Sequence, residues 1–398
     1  MQTPYILTQL MHYVDRGYFE RQVSRYGGNR YVKTFSCWNM LSCLVWAQLS
    51  GARSLRDIVM CQNCHRDKSY RMGVGRNVSR NNLSNALAKR DVAMFRELAS
   101  RMMERTGGTC IRNDPLKEIA EAFSIGGFFA ADSTTVRLHP GRFGWTTVKQ
   151  GWGGIKAHVL FDLLRYVPTF CLVTGHEEGD QTFMEDYPYS QGCMYLFDRV
   201  YNKPSALYHI HRSGARFIVR GKTDPSIEVV HPYSNGGEDR NVLADRKIRF
   251  IGPKSRKGYP VPLRQVLYHS ESLDANVSFL TNDETLPADI VADIYHFRWD
   301  IEVFFKWLKQ HLNIQAFYGQ SANAVSIQVY VAIITLCIVA LVASDHNVTS
   351  LSHYELSRVL ACAITHRYWL PDLIRLASER SSNDGPNTSN TQYPSLFD

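Results

Sequence analysis

The spacing of apolar residues changes near Gly127 and divides the chain into a helical part and a mixed part. Before that point apolar residues recur mostly at helical spacing, and the apolar stretch 35–49 ends near Gly51, as a helix followed by glycine does. After it, short runs of β-branched and aromatic residues predict strands. These runs occupy residues 128–132, 155–161, 167–173, 194–197 and 216–220, with a short helix at 204–212. Strands with interposed helices predict an α/β sheet.

A second group of short strands is predicted before a polar helix at 295–309. Its apolar runs lie around residues 229–230, 246–251, 261–267 and 277–280, separated by Gly, Pro, Asn and Asp. The last residues are rich in Ser, Asn and Pro, which predicts disorder. We expect an all-α domain at 1–115, the first part of the α/β core at 116–222, a β-rich insertion domain at 223–285, the rest of the core with C-terminal helices at 286–378, and a disordered tail at 379–398.

Length and charge narrow the function classes only slightly. The 398 residues allow two or three domains, and the net charge of +8 permits a polyanionic partner without requiring one. The apolar run 329–343 has 15 residues, fewer than the ~18 of a membrane span. We therefore expect a buried core helix there and no membrane association.

The nine cysteines are scattered, and the chain does not begin with a secretory signal. Reduced thiols in the cytoplasm are the expected state. Cys61 and Cys64 with His65 have the spacing of half a zinc site or of a haem-attachment motif. No second pair completes a zinc site, and haem attachment needs an exported protein. Neither group is predicted.

Residues 54–90 resemble a helix-turn-helix. Ser54 is a predicted helix cap, a polar loop with Gly73 and Gly75 follows, and a polar helix begins near Ser79. The side chains placed to reach DNA are Arg76, Arg80, Asn81, Asn82, Ser84, Lys89 and Arg90, and among these we expect Arg80 and Arg90 to bind DNA. The alternative is an ordinary amphipathic helix in a bundle.

The helix predicted at 295–309 carries a narrow polar strip. At 100° per residue Arg298 lies about 40° from Glu302, Lys309 about 20° to the same side, and Tyr295 about 20° to the other. The strip is cationic on balance and has aromatic neighbours, which suits a phosphate backbone. A solvated, salt-bridged helix face is the alternative interpretation.

Two aspartates, Asp132 and Asp198, each follow a predicted strand. Such residues are often only caps or turn formers, but two in equivalent positions suggest that they meet at one edge of a sheet. With Glu302 they provide three hard oxygen ligands of the kind that Mg²⁺ prefers. Two such ions, ~3.5–4 Å apart, support an in-line phosphoryl transfer.

The spacing Tyr295-x2-Arg298-x3-Glu302-x6-Lys309 resembles the tyrosine–arginine–glutamate–lysine signature of one branch of the DDE transposases of bacterial insertion sequences. The stretch 131–138 resembles the first-aspartate motif of that branch. Further blocks of the chain are similar to the same branch, at 54–58, 154–158, 197–201 and 317–321. The resemblance covers roughly residues 10–345.

This resemblance implies a ribonuclease-H-like catalytic core, interrupted by the β-rich insertion domain and preceded by an all-α DNA-binding domain. Asp132, Asp198 and Glu302 would be the catalytic metal ligands for two Mg²⁺ ions, for which Mn²⁺ can substitute. The implied activity is cleavage of DNA at transposon ends and transfer of the 3′ hydroxyls into target DNA.

The same resemblance implies the partners and the DNA contacts. Tyr295, Arg298 and Lys309 would contact the terminal phosphates of the transposon end. A homodimer would form in the synaptic complex, and the protein would be cytoplasmic and nucleoid-associated when bound to DNA, with no small-molecule substrate. Lys156 and His158 match a block of the branch, but no role is assigned to them.

One position departs from the pattern of the branch. Val200 stands where the second-aspartate block more often has glycine, and a β-branched residue does not easily adopt a positive φ. This departure favours an alternative, a decayed or repurposed relative that binds DNA without cleaving it. A metal-dependent nuclease without strand transfer is a further alternative.

Overall fold

The computed structural model describes residues 3–76, 78–146, 152–221, 226–233, 241–271, 274–311 and 317–383. The part before the sheet is helical, as predicted: α1 Ile6–Met11, α2 Arg16–Arg25, α3 Cys37–Leu49, α4 Leu55–Cys64, α5 Arg66–Ser69, α6 Arg80–Lys89, α7 Val92–Thr106 and α8 Asp114–Ala122. Serine side chains begin three of these helices, because Ser36, Ser54 and Ser79 each accept a hydrogen bond from the backbone N–H three residues later.

All strands of the described residues join one sheet. They are β1 Phe128–Leu138, β2 Gly153–Asp162, β3 Val167–Gly175, β4 Met194–Phe197, β5 Arg216–Arg220, β6 Ile227–Pro232, β7 Val242–Phe250, β8 Leu263–Ser270 and β9 Ala275–Thr281. Their order is β3-β2-β1-β4-β5-β9-β8-β7-β6. The pairs β1–β4 and β4–β5 are parallel and the others antiparallel. Helix α9 (Pro204–Arg212) connects β4 to β5, as predicted.

The strands predicted within 223–285 are present and extend this sheet. Strand β9 pairs with β5 through Val219 and Leu280, so the edge of β5 that would otherwise be unpaired is covered. The short helix α10 (Pro253–Gly258), which the sequence pattern did not predict, lies between β7 and β8 and packs against α9.

The C-terminal part is helical: α11 Ala288–His296, α12 Asp300–His311, α13 Ala322–Asp345, α14 His353–Ala363 and α15 Leu370–Asn383. The prediction of one continuous helix at 295–309 is wrong, because a 3-10 turn at Phe297–Trp299 separates α11 from α12. The disordered tail is also predicted to start too early, since α15 continues to Asn383. The remainder of that tail lies outside the described residues.

Helix α13 is the centre of the core. It is long and apolar enough to cross a membrane, but 89% of its most apolar window is buried inside the protein, against α3, α7 and β3. Near its start, the Asn323 side chain donates to the carbonyls of Leu87 and Arg90 and accepts from the N–H of Val92. One hydrophobic core thus runs from the N-terminal helices through the sheet to α13, and it continues across the boundary predicted at residue 115.

Candidate active site

The two aspartates lie side by side because of the register between β1 and β4. The parallel pairing runs from Phe128 with Met194 to Ala131 with Phe197. Asp132 and Asp198 are the residues that come next in the chain after this last pair. The prediction placed both beyond a strand end. Asp132 instead lies within β1, since β1 continues to pair with β2 as far as Leu138.

Arg298 joins the first aspartate to the glutamate. Its Nη2 donates to Glu302 Oε1 at 2.6 Å, and its Nη1 lies 3.8 Å from Asp132 Oδ2. The Arg298 side chain is only 8% exposed, so both contacts form in a largely dehydrated environment, where charge-assisted hydrogen bonds are strong. The structure therefore brings together three of the predicted residues, one from β1 and two from the turn and helix of the polar strip.

Tyr295 and Lys309 flank this group. The Tyr295 ring packs on Phe279 with centroids 4.7 Å apart, and the Arg298 guanidinium lies 5.8 Å from the tyrosine ring centre. Burial raises the pKa of Tyr295 to about 12. Burial lowers the pKa of Lys309, and the negative charge of Asp132 opposes that effect. Lys309 is thus a partly buried cation within electrostatic reach of the first aspartate.

Asp132 is a buried carboxyl group whose pKa depends on the charged residues around it. Burial raises the pKa of Asp132 to about 7. Arg298 lowers it, while the carboxylates of Glu302 and Asp198 raise it further. Burial and the two neighbouring carboxylates thus favour the neutral form of Asp132, and Arg298 favours the ionised form.

The residues present are of the chemical type that binds Mg²⁺, because the carboxylates of Glu302 and Asp198 are close enough to Asp132 to raise its pKa. As the side chains stand, no group of three His, Cys, Asp or Glu residues within the described ranges is close enough to hold an ion together. The Arg298 guanidinium stands between Asp132 and Glu302. An ion shared by these two carboxylates would therefore require Arg298 to move.

Val200 is accommodated without backbone strain. It lies in a 3-10 turn, Arg199–Tyr201, and is not among the described non-glycine residues with positive φ. Its side chain is 52% exposed. This turn does not require the conformation that glycine favours. Val200 is therefore no longer a reason to regard the protein as a decayed relative that cannot cleave DNA.

The two arginines predicted to bind DNA through the N-terminal helices differ in position. Arg80 begins α6 and is exposed. Arg90 follows α6, is 7% exposed, and donates to the carbonyls of Phe35 and Ser36. The hydrogen bonds of Arg90 hold α6 against the start of α3, so the structure gives this residue a structural role and offers no support for its predicted DNA contact.

The sequence pattern missed a group of interacting polar side chains next to Asp132. Ser133 Oγ donates to Asp180 Oδ1 at 2.5 Å, and Lys156 Nζ lies 3.0 Å from the same oxygen. Lys156 lies in the stretch 154–158, whose similarity to the transposase branch could have marked it as a residue near the site. Asp180 begins a 3-10 helix, Asp180–Glu185, and no periodicity or motif marked it.

Two family descriptions match the chain. "Transposase DDE domain" matches residues 125–338, more than half of the chain and a range that contains Asp132, Asp198 and Glu302. "Domain of unknown function (DUF4372)" matches residues 2–75. The chain belongs to the DDE transposase family. It is a DNA-acting enzyme of that family, and the family and activity predicted from the sequence are confirmed.

Similar proteins carry the same name. The chain is 28% identical over 278 residues to a candidate transposase of Sinorhizobium fredii, y4zB, with 67% of this chain and 72% of the relative covered. It is 22% identical over 313 residues to a candidate transposase for insertion sequence element IS4SA of Synechocystis, with 75% and 83% covered. A solved synaptic complex of piggyBac transposase with hairpin DNA covers 98% of this chain and 89% of its own, at 12% identity and a TM-score of 0.42. That likeness is too distant to carry an argument.

Proposed function

We propose that this transposase binds the ends of an insertion sequence, cleaves the DNA there, and transfers the 3′ hydroxyl ends into target DNA. The observation that carries the proposal is the meeting of Asp132, Arg298 and Glu302, with Asp198 directly after the neighbouring strand β4. Acidic and basic side chains from distant parts of the chain converge there, as a reaction on a phosphodiester requires.

Asp132, Asp198 and Glu302 are the proposed catalytic residues and the ligands of two Mg²⁺ ions, for which Mn²⁺ can substitute. When bound, such ions activate the attacking oxygen and stabilise the leaving one. The protein's own contribution is to hold the three carboxylates on a rigid strand edge and a packed helix. The raised pKa of Asp132 supports this assignment, since a cation would offset the repulsion among these carboxylates.

The sheet supports a ribonuclease-H-like core. Strands β1, β2 and β3 are antiparallel, β4 and β5 are parallel to β1, and both aspartates lie at the carboxyl end of the parallel pairing. Strands β6 to β9 would be the β-rich insertion domain, entering between β5 and the helix that carries Glu302.

Tyr295, Arg298 and Lys309 are the proposed contacts to the terminal phosphates, in the manner of the tyrosine–arginine–glutamate–lysine branch. Arg298 has a fork of donors that suits phosphate oxygens as well as carboxylates. The exposed Arg80 at the start of α6 would add a DNA contact outside the catalytic centre. We further propose that a homodimer pairs two ends and that the protein is cytoplasmic, associating with the nucleoid when bound to DNA.

The test is incubation of the full chain with a labelled element end, Mg²⁺ and a target plasmid. Joined product supports the proposal, nicks without joining indicate a nuclease, and a bound but uncut duplex indicates a protein that only binds DNA. Alanine at Asp132, Asp198 or Glu302 should abolish cleavage and leave end binding largely intact. Glu118→Gln, which removes an exposed carboxylate from α8, is the matched control. Cleavage by any of the three alanine variants would exclude that residue from the site.

A further inference from the structure

A short 3-10 helix, Asp180–Glu185, contacts the chain next to both aspartates of the proposed metal site. Its first residue, Asp180, accepts a hydrogen bond from Ser133 Oγ at 2.5 Å, and Ser133 directly follows Asp132. Its second residue, Gln181, donates from Nε2 to the carbonyl of Val200, in the turn after Asp198. Two consecutive side chains of one helix thus reach both aspartate segments.

This 3-10 helix lies on the face of the sheet opposite to Glu302. Consecutive residues of a strand point to opposite faces, so Ser133 faces away from the side to which Asp132 points. Ser133 also donates its backbone N–H to Asp132 Oδ1 at 2.7 Å. The hydroxyl of Ser133 is therefore tied to the 3-10 helix, while its N–H orients the carboxylate of Asp132.

Strand β2 anchors this helix through the two residues of the block to which no role was assigned. Lys156 Nζ lies 3.0 Å from Asp180 Oδ1 and donates to the carbonyl of Glu178 at 2.8 Å. The His158 ring packs against the Phe183 ring, with centroids 3.7 Å apart and the ring planes tilted by 35°. Lys156 and His158 are two residues apart on β2, so both face the helix.

The polar contacts to the aspartate segments are not what keeps the helix on the sheet. Phe183 and Met184 are 6% and 0% exposed and belong to the core beneath it. Burial of two such side chains stabilises the folded state much more than a single hydrogen bond does. Loss of the Ser133 or Gln181 contact would therefore leave the helix in place and free the segment that the contact held.

We infer that the 3-10 helix Asp180–Glu185 is a brace that sets the separation and orientation of Asp132 and Asp198, with Ser133, Asp180 and Gln181 as positioning residues. The inference rests on the proposed function, because it concerns how the ligands of that metal site are held. Groups that support metal ligands typically change metal affinity 10- to 100-fold when they are removed.

The experiment measures Mn²⁺ binding to the full chain in complex with an element end, by the electron paramagnetic resonance signal of free Mn²⁺. We expect Ser133→Ala and Gln181→Ala each to weaken Mn²⁺ binding about tenfold, with unchanged affinity for the DNA end and an unchanged melting temperature. Ser133→Thr keeps the hydroxyl and should bind Mn²⁺ as the wild type does. Thr182→Ala removes an exposed hydroxyl from the same helix and is the matched control.

Wild-type Mn²⁺ affinity in both Ser133→Ala and Gln181→Ala would overturn the brace. So would a loss of affinity that occurs only together with a lower melting temperature, since that indicates general destabilisation. Asp132→Ala separates this inference from the proposed function. If that variant also binds Mn²⁺ normally, the proposed metal site is wrong; if it loses binding while the brace variants do not, only the brace is wrong.

Discussion

Replacing Asp132 by asparagine should change how the stability of the protein depends on pH. The folded state holds the pKa of Asp132 at about 7, against 3.8 for an ordinary aspartate, chiefly because the carboxyl group is buried. Between these values the folded state binds the proton and the unfolded state does not. The unfolding free energy therefore falls as pH rises from about 4 to about 7, and it levels off above 7, where the carboxylate is ionised in both states. Asparagine has nearly the same shape and does not ionise.

The size of the effect follows from the linkage between proton binding and folding. Between pH 5 and pH 8 the wild type should lose about 2.5 kcal/mol of unfolding free energy relative to Asp132→Asn. The other titrating groups are common to both proteins, so their contributions cancel in the difference. Mg²⁺ added at pH 8 should stabilise the wild type selectively, because it binds the ionised carboxylate.

The assay is urea unfolding of both proteins at several pH values, followed by tryptophan fluorescence. Asp186→Asn, which removes an exposed carboxylate, controls for the loss of a negative charge. A difference between wild type and Asp132→Asn that stays constant from pH 5 to pH 8 would refute the argument. A wild type that instead gains stability relative to Asp132→Asn as pH rises toward 4 would show that Arg298 outweighs burial at this site.

Three other predictions follow from the positions of single residues. Lys309→Ala should weaken binding of the transposon end and lower the slope of log affinity against log salt by about one; an unchanged slope would make Lys309 an ordinary surface charge. Arg90→Ala should lower the unfolding free energy by about 1–3 kcal/mol, because buried carbonyls lose their donor, with no change in that salt slope; a smaller slope would restore Arg90 as a DNA contact. Ile333→Ala, in the fully buried part of α13, should cost about 2–5 kcal/mol, and fluorescence and circular dichroism should report one shared transition. Separate transitions would indicate that the N-terminal helices have a core of their own.

The sequence predicted best those elements whose pattern is local. The spans of β4 and α9 agree with the structure to the residue, because an apolar strand run and a proline-initiated amphipathic helix carry their signals within themselves. The break between α11 and α12 was not predictable in this way, since both sides of Phe297–Trp299 continue a helical pattern.

Arg90 and Asp180 show the limit of reasoning from residue type. A polar helix end predicts an exposed arginine, yet Phe35 and Ser36, far away in the chain, provide the carbonyls that bury Arg90. Asp180 looks like any loop aspartate until Lys156 and Ser133 lie beside it. Arg90 and Asp180 each bond to a residue more than forty positions away in the chain. The periodicity of the sequence contains no information about such distant contacts.

The sequence alone determined the family, because motif spacing is a local property. It also predicted the three acids and the strip of Tyr295, Arg298 and Lys309 around Glu302. Only the tertiary structure decided that the register of β1 and β4 sets two of the acids side by side, that Arg298 links the first acid to the third, and that the helix Asp180–Glu185 reaches both aspartate segments. The physical reason is that strand pairing and packing are contacts between distant segments, whose choice depends on the whole core.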